Sequence, residues 1–127
     1  MATATEASRR TDVRRNRVVE ICTSLPEVEV SGDPHLSFKV HKKILAYYLC
    51  NHHGDGRIAV WCKAPPGEQS RLIEENPRRF FVPPYVGHRG WVGIRVDLPS
   101  VNWAELRYLV QTAYRLTAPR RLAARLE

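Results

Sequence analysis

Two apolar runs separated by a glycine-rich turn constrain the fold of this chain more than any other feature. The runs Ile44–Asn51 and Arg57–Lys63 are both rich in β-branched, aromatic and other apolar residues. Between them lies Gly54-Asp55-Gly56, a combination typical of the loop of a β-hairpin. The sequence therefore predicts an antiparallel pair of strands near the middle of the chain.

The remaining elements are indicated by turn residues and by the spacing of apolar side chains. Helical spacing predicts a first helix over Thr11–Ser24 and a long helix over Trp103–Leu116, each followed by a proline. Further predicted elements are strands at Glu27–Ser31, Leu36–His41, Phe80–Pro83 and Trp91–Asp97, a helix at Glu68–Glu75 and a last helical turn within Arg120–Leu126. The order α-β-β-β-β-α-β-β-α contains no βαβ repeat. We therefore expect an α+β fold, a two-layer sandwich in which three helices lie mainly on one face of a largely antiparallel sheet of about five to six strands.

The length of the chain fits a single domain. Its 127 residues, 43% of them hydrophobic, are enough to bury a core. We expect residues 11–127 to form this domain and the small, polar residues 1–10 to be a flexible tail. The longest apolar run, Ile44–Leu49, is too short to span a bilayer, and the start of the chain lacks the apolar segment of a signal peptide. A cytoplasmic protein without a membrane association is expected, in which Cys22, Cys50 and Cys62 are reduced and buried.

The positive charge is concentrated at the two ends of the chain. The net charge is +7, of which residues 1–17 carry +3, residues 103–127 carry +3 and the 85 residues between them only +1. Sixteen of the twenty basic residues are arginine, which binds phosphate through forked hydrogen bonds. A polyanionic partner is one interpretation. The other is that the charge serves solubility.

Strand alternation divides the predicted sheet into two faces, if Cys50 pairs with Val60 and Leu49 pairs with Trp61 across the hairpin. One face is apolar and should lie under the helices: Phe38, Val40, Ile44, Ala46, Tyr48, Cys50, Ile58, Val60, Cys62, Val92, Ile94 and Val96. The other face is mixed aromatic and basic: Lys39, His41, Tyr47, Leu49, Trp61, Lys63, Trp91 and Arg95. If open, such a face suits bases and phosphates. Alternatively, a chain end, the segment Phe81–Gly90 or a dimer partner covers its aromatic side chains.

No pattern typical of catalysis or of metal binding occurs in the sequence. His52 and His53 are adjacent, so we expect them to point apart, and the other three histidines have no partner at metal-ligand spacing. The cysteines lie on predicted core faces, where a thiolate is disfavoured. Asp97 ends a strand and is expected to cap a turn. We therefore expect no enzymatic activity, no cofactor and no metal.

One turn has two possible interpretations. Gly87-His88-Arg89-Gly90-Trp91 places a histidine and an arginine on a glycine-flanked turn beside a tryptophan. His88 and Arg89 suit contacts to a phosphate or a base, whereas Trp91 suits a structural role as an anchor of the sheet.

Several segments of the chain are shared with a known family. They are Ser24-Leu25-Pro26-Glu27, Phe38-Lys39-Val40, Lys63-Ala64-Pro65, Pro83-Pro84-Tyr85, Gly90-Trp91-Val92-Gly93-Ile94 leading to Asp97, Trp103-Ala104-Glu105-Leu106 and Ala113-Tyr114-Arg115-Leu116. With them the chain resembles the MmcQ/YjbR family over about residues 12 to 122. The resemblance implies a two-layer α/β fold with an antiparallel sheet and a DNA-binding function, and it implies no catalytic residues. The arginine-rich first helix departs from the family pattern.

These observations lead to one expected function and one alternative. We expect a small non-catalytic module that binds nucleic acid, with DNA favoured, through its basic terminal helices and with weak sequence preference. The phosphate-binding candidates are Arg14, Arg15, Arg17, Arg120, Arg121 and Arg125, and the candidates for a second contact surface are Trp61, Lys63, His88, Arg89, Trp91 and Arg95. The alternative is a protein-interaction or small-ligand-binding domain that uses the aromatic face of the sheet, with self-association as a further possibility.

Overall fold

The structure of the protein, a computed structural model, describes residues 2–126 and the side chains of residues 9–126. Its helices are α1 (Ala2–Thr23), α2 (Glu68–Glu75), α3 (Trp103–Thr117) and α4 (Arg120–Ala123). Its strands are β1 (Val28–Ser31), β2 (Leu36–Val40), β3 (Lys43–Cys50), β4 (Ile58–Cys62), β5 (Phe80–Phe81) and β6 (Val92–Arg95). Short 3-10 segments occupy His52–Gly54, Gly87–Arg89 and Ala124–Leu126.

The expected α+β class is confirmed, and most elements lie where the sequence predicts them. α2 has the predicted bounds, and α3 ends one residue later than predicted. α1 begins at Ala2 rather than at Thr11, and the last helical turn forms a separate helix, α4. The flexible tail over residues 1–10 stays a prediction, and Met1 lies outside the described residues.

The sheet has six strands in the order β1-β2-β3-β4-β6-β5, and every neighbouring pair is antiparallel. Its edge strand β5 has only two residues: Phe80 pairs with Ile94, and Phe81 pairs with Gly93. A short edge strand limits pairing with other chains. The sheet is open, so each of its two faces must pack against other segments to be shielded from solvent.

The central hairpin forms, but in another register than predicted. Cys50 pairs with Ile58 and Leu49 with Ala59, a shift of two residues. The loop includes Asn51 and His53, which adopt left-handed φ values of 51° and 50°. A shift of two residues preserves the side-chain alternation, so the predicted faces of β4 remain correct.

The apolar face lies under the helices as expected, with one correction in β3. The pairing of β2 and β3 shifts between Phe38 and Lys39, so that Leu45 forms an extra residue in a β-bulge. Leu45 and Ala46 are therefore both buried in the main core. Ile44, predicted for this face, lies instead in a second hydrophobic cluster on the opposite face.

The helices complete the main core from one side. Val18 and Ile21 of α1, Val110 of α3 and Leu122 of α4 are all at most 1% exposed. The hydroxyl of Tyr114 donates a hydrogen bond to the carbonyl of Pro26 at 2.8 Å and so ties α3 to the end of α1. The sheet and its helices thus form the two predicted layers.

The three cysteines are free thiols in or near this core. Cys22 and Cys62 are buried and Cys50 is half-buried. Burial raises the pKa of Cys62 to about 12 and raises that of Cys22 further above its ordinary value. Both therefore stay protonated and inert at neutral pH.

Candidate functional site

A basic groove of about 500 Å³ lies on the face of the sheet opposite the main core. Four of its lining residues are cations and four are apolar or aromatic: Lys42, Lys43, Lys63, Arg89, Ile44, Tyr47, Val86 and Trp91. None of these lining residues is acidic. Three of the four lysines of the whole chain are thus gathered at one site. This arrangement attracts anions, because no neighbouring carboxylate in the lining neutralises the four charges.

The turn between β2 and β3 supplies two of the four cations. His41 and Lys42 have φ values of 49° and 68°, and positive values at both central residues are typical of a two-residue hairpin turn. Lys43 then begins β3 opposite Val40. Because the turn is short, both lysine side chains project from a well-defined backbone.

The 3-10 turn Gly87–Arg89 supplies the third cation. The side-chain amide of Gln69, on α2, donates hydrogen bonds to the carbonyls of Gly87 at 2.8 Å and of Trp91 at 2.6 Å. These bonds hold the turn against α2. The guanidinium of Arg89 lies 6.0 Å from the centroid of the Trp91 ring, so the groove has an aromatic wall beneath a cation.

Lys63 supplies the fourth cation immediately after β4. Its pKa lies below the ordinary lysine value because the ammonium group is partly desolvated and lies near the charges of Arg89 and Lys43. Mutual repulsion of this kind is relieved by a bound anion.

A second hydrophobic cluster lies beneath the groove and decides between an open and a covered aromatic face. Trp61 and Trp91 are only 4% and 3% exposed. They pack with Leu49 and Ala59, and the half-buried Phe81 and Val86 lie against them. The segment Phe81–Gly90 thus covers the face, as one of the sequence-based alternatives proposed. Trp61 and Trp91 therefore form no exposed stacking surface, and Trp91 is packed into the sheet.

Histidine and aromatic rings extend this cluster towards the hairpin loop. The ring of His52 lies 5.2 Å from that of Trp61, 5.5 Å from that of His35 and 4.1 Å from that of His53. The expectation that His52 and His53 point apart is therefore wrong, because the left-handed backbone at His53 turns the two rings together. Desolvation and the two other histidines lower the pKa of His52, which favours its neutral form. Among residues 9–126, no group of three or more potential ligands is arranged to hold a metal ion.

Arg14, Arg15 and Arg17 of α1 have different contacts. Arg14 donates hydrogen bonds to the carbonyls of Val96 at 2.8 Å and of Leu98 at 2.6 Å. These bonds hold its guanidinium against the segment that follows β6. Arg15 lies 3.9 Å from Asp33. Arg17 lies 5.3 Å from the centroid of the Trp103 ring on α3. The three side chains thus point to three different parts of the molecule, and contacts of these arginines with phosphates stay a prediction.

The other candidate residues are dispersed. Arg95 binds the carboxylate of Asp97 at 3.0 and 2.8 Å. Burial alone would raise the pKa of Asp97, but the hydrogen bond and the charge of Arg95 hold it below its ordinary value. Arg121 lies 3.7 Å from Glu27. The remaining candidates are exposed and do not line the groove: His88, Arg120 and Arg125.

The structure therefore brings together three predicted residues, Lys63, Arg89 and Trp91, and adds two that were missed, Lys42 and Lys43. The missed signal is a pair of lysines on a tight turn that opens onto the same sheet face as Lys63. In the sequence, Lys42 and Lys43 indicate only a turn. In the part of the chain that the structure describes, no helix is long and apolar enough to cross a membrane.

Comparisons with known proteins identify the fold. The family model YjbR matches residues 23–116, which is more than half of the chain. The crystal structure of the Deinococcus radiodurans protein DR2400, with the family-model domain DUF419, superposes with a TM-score of 0.64 at 19% identity, covering 76% of this chain and 72% of that chain. At this identity the likeness extends to the fold alone. Comparison with curated proteins found no match.

Proposed function

The chain belongs to the YjbR family, and we propose that it is a non-catalytic module that binds nucleic acid, with DNA favoured, at the basic groove. One observation carries the proposal: four cations line a groove with an aromatic wall, and the lining contains no acidic residue. Contacts to phosphates supply most of the affinity of such a surface and carry little sequence information. Weak sequence preference follows.

The terminal arginines have a smaller part in this proposal than the sequence analysis gave them. Arg14 is engaged by backbone carbonyls, and Arg121 lies beside Glu27. Exposed Arg120 and Arg125 contribute at longer range, where salt screens their charge. The groove is the main contact surface.

Cys22, Cys62 and Asp97, which the sequence offered as possible reactive groups, are buried or paired. Cys22 and Cys62 have raised pKa values and remain thiols. The carboxylate of Asp97 is paired with Arg95. The alternative of protein or small-ligand binding on the aromatic face has less support, because Trp61 and Trp91 are covered.

The proposal is tested by fluorescence anisotropy with a labelled oligonucleotide at salt concentrations from about 50 to 300 mM. The groove variant is Lys43→Gln/Lys63→Gln, and the matched control is Arg120→Gln/Arg121→Gln, which removes the same charge elsewhere. We expect the groove variant to bind at least about tenfold more weakly and to make the slope of log K against log salt less negative by about 1 to 2, because the slope is roughly −0.7 to −0.9 per phosphate contact.

Three outcomes would contradict the proposal. They are an absence of binding by the wild-type chain at the lowest salt, an affinity that does not change with salt, and equal losses in the groove variant and the control. The last outcome would mean that the net charge of the protein, and not the groove, attracts the nucleic acid.

A further inference from the structure

Tyr85 presents an aromatic ring to solvent beside the basic groove. Its side chain is 69% exposed, the largest exposed fraction among the large hydrophobic residues with described side chains. Tyr85 follows Pro84 and directly precedes Val86, which lines the groove. Adjacent Cα atoms are about 3.8 Å apart, so the Cα atom of Tyr85 lies that close to the Cα atom of a residue that lines the groove.

The backbone at Tyr85 is strained in a way that projects this ring outward. Its φ is 67°, a left-handed value that is an outlier for a bulky residue. The amide of Val86 donates a hydrogen bond to the carbonyl of Pro84 at 2.7 Å, which closes a three-residue turn centred on Tyr85. A three-residue turn with positive φ is rare and strained. Strain of this kind persists where the surroundings hold it, and it is concentrated at binding sites.

The rings of two histidines lie close to the ring of Tyr85. The ring of His52 lies 6.0 Å from the Tyr85 ring, and the ring of His53 lies 6.4 Å from it. His52 in turn contacts Trp61, and Trp61 contacts Tyr47, which lines the groove. A continuous row of rings therefore connects the exposed tyrosine to the groove.

We propose that Tyr85 is a stacking site for an unpaired base, so that the ligand of the groove is single-stranded rather than double-stranded nucleic acid. This inference depends on the proposed function, because the phosphates of the same strand would contact Lys63 and Arg89. Every base offers a flat face to an aromatic ring when it is unstacked, whereas in a duplex the faces are occupied by neighbouring base pairs. An exposed ring next to a cationic groove is thus of use to a single strand and of little use to a duplex.

The test uses anisotropy with three ligands of equal length: an adenine-only single strand, an abasic single strand and a duplex. Tyr85→Asn removes the ring, and asparagine tolerates the left-handed backbone at this position. Tyr85→Phe keeps the ring. Tyr108→Asn is the matched control, because Tyr108 is 60% exposed on α3 and does not line the groove. A thermal melt confirms that each variant is folded.

We expect the wild-type chain to prefer the adenine strand to both other ligands. Tyr85→Asn should lower the affinity for the adenine strand by about tenfold, which is typical of the loss of one stacked base, and leave the other two ligands unaffected. Tyr85→Phe and Tyr108→Asn should bind as the wild type does.

The results distinguish this inference from the function on which it depends. If the duplex binds as well as the single strand and Tyr85→Asn has no effect, the stacking site is wrong while the groove remains. An equal loss on the abasic strand would also overturn stacking, because that ligand has no base. If the wild-type chain binds none of the ligands, both proposals are wrong.

Discussion

Lys63 is the residue of the groove whose ionisation would report most directly on the proposed binding of nucleic acid. Its pKa is lowered by desolvation and by the charges of Arg89 and Lys43. A bound phosphate favours the protonated form, so binding takes up protons at high pH. The affinity contributed by Lys63 is therefore fully present below its pKa in the free protein, and it is lost as the pH rises from that value through the higher pKa of the complex.

This linkage gives a prediction for the pH dependence of binding. As the pH rises towards the ordinary lysine pKa of about 10.4, the affinity for an adenine-only strand should decline, because Lys63 loses its proton below that pH. Lys63→Arg should reduce the decline, since a guanidinium stays charged in this range. Lys39→Arg is the control, because Lys39 does not line the groove. Anisotropy titrations at constant salt measure the effect. An equal decline in all three proteins would contradict the prediction.

The contribution of Lys63 to folding stability should change with pH in the opposite direction to its contribution to affinity. The unfolded chain holds the lysine proton more tightly than the folded chain, so the free energy of unfolding contributed by this group rises with pH. A loss of affinity at high pH is therefore distinguishable from unfolding.

At the scale of the elements, the sequence predicts what local chemistry determines. The start of α3 is such a case, because the side chain of Asn102 accepts a hydrogen bond from the amide of Glu105 at 3.0 Å. The bulge at Leu45 could not be predicted from local chemistry. Strict alternation places Ile44 in the core, and only packing against the helices selects Leu45 instead. The cover provided by Phe81–Gly90 is likewise a contact between distant segments, which periodicity does not encode.

The contact between β5 and β6 gives a prediction about that cover. The ring of Phe81 lies directly over Gly93, where an added methyl group would overlap it, and the guanidinium of Arg57 lies 4.1 Å from the centroid of the same ring. Gly93→Ala should therefore lower the free energy of unfolding by about 1–3 kcal/mol, the usual cost of overpacking. Urea denaturation measures the loss.

The double variant Phe81→Ala/Gly93→Ala is the control for this mechanism. Without the ring there is nothing to overlap, so the double variant should lose less stability than the sum of the two single variants. Strictly additive losses would show that the methyl group and the ring do not meet.

At the scale of the whole molecule, the position of charge in the sequence differs from its position in space. The net charge lies at the two chain ends, yet Arg14 turns to the end of β6 and Arg121 lies beside Glu27, beyond the opposite end of α1. From Arg14 to Thr23 the helix rises about 14 Å at 1.5 Å per residue, so these charges are well separated. The groove instead assembles cations from a nearly neutral middle region, and a charge count along the chain could not indicate this.

A substitution at Arg14 tests whether the basic chain ends have a structural role or contact phosphates. If its guanidinium is structural, Arg14→Ala should lower the free energy of unfolding by about 2 kcal/mol, because hydrogen bonds to a charged group contribute about 1.5–3 kcal/mol, and nucleic-acid affinity should not change. Arg17→Ala is the matched control on the same helix. It should cost only about 0.5–1 kcal/mol, from the contact with Trp103. Urea denaturation and anisotropy are measured on the same samples. If Arg14→Ala instead weakens binding about tenfold at unchanged stability, the first helix contacts phosphates and the groove is not the main interface.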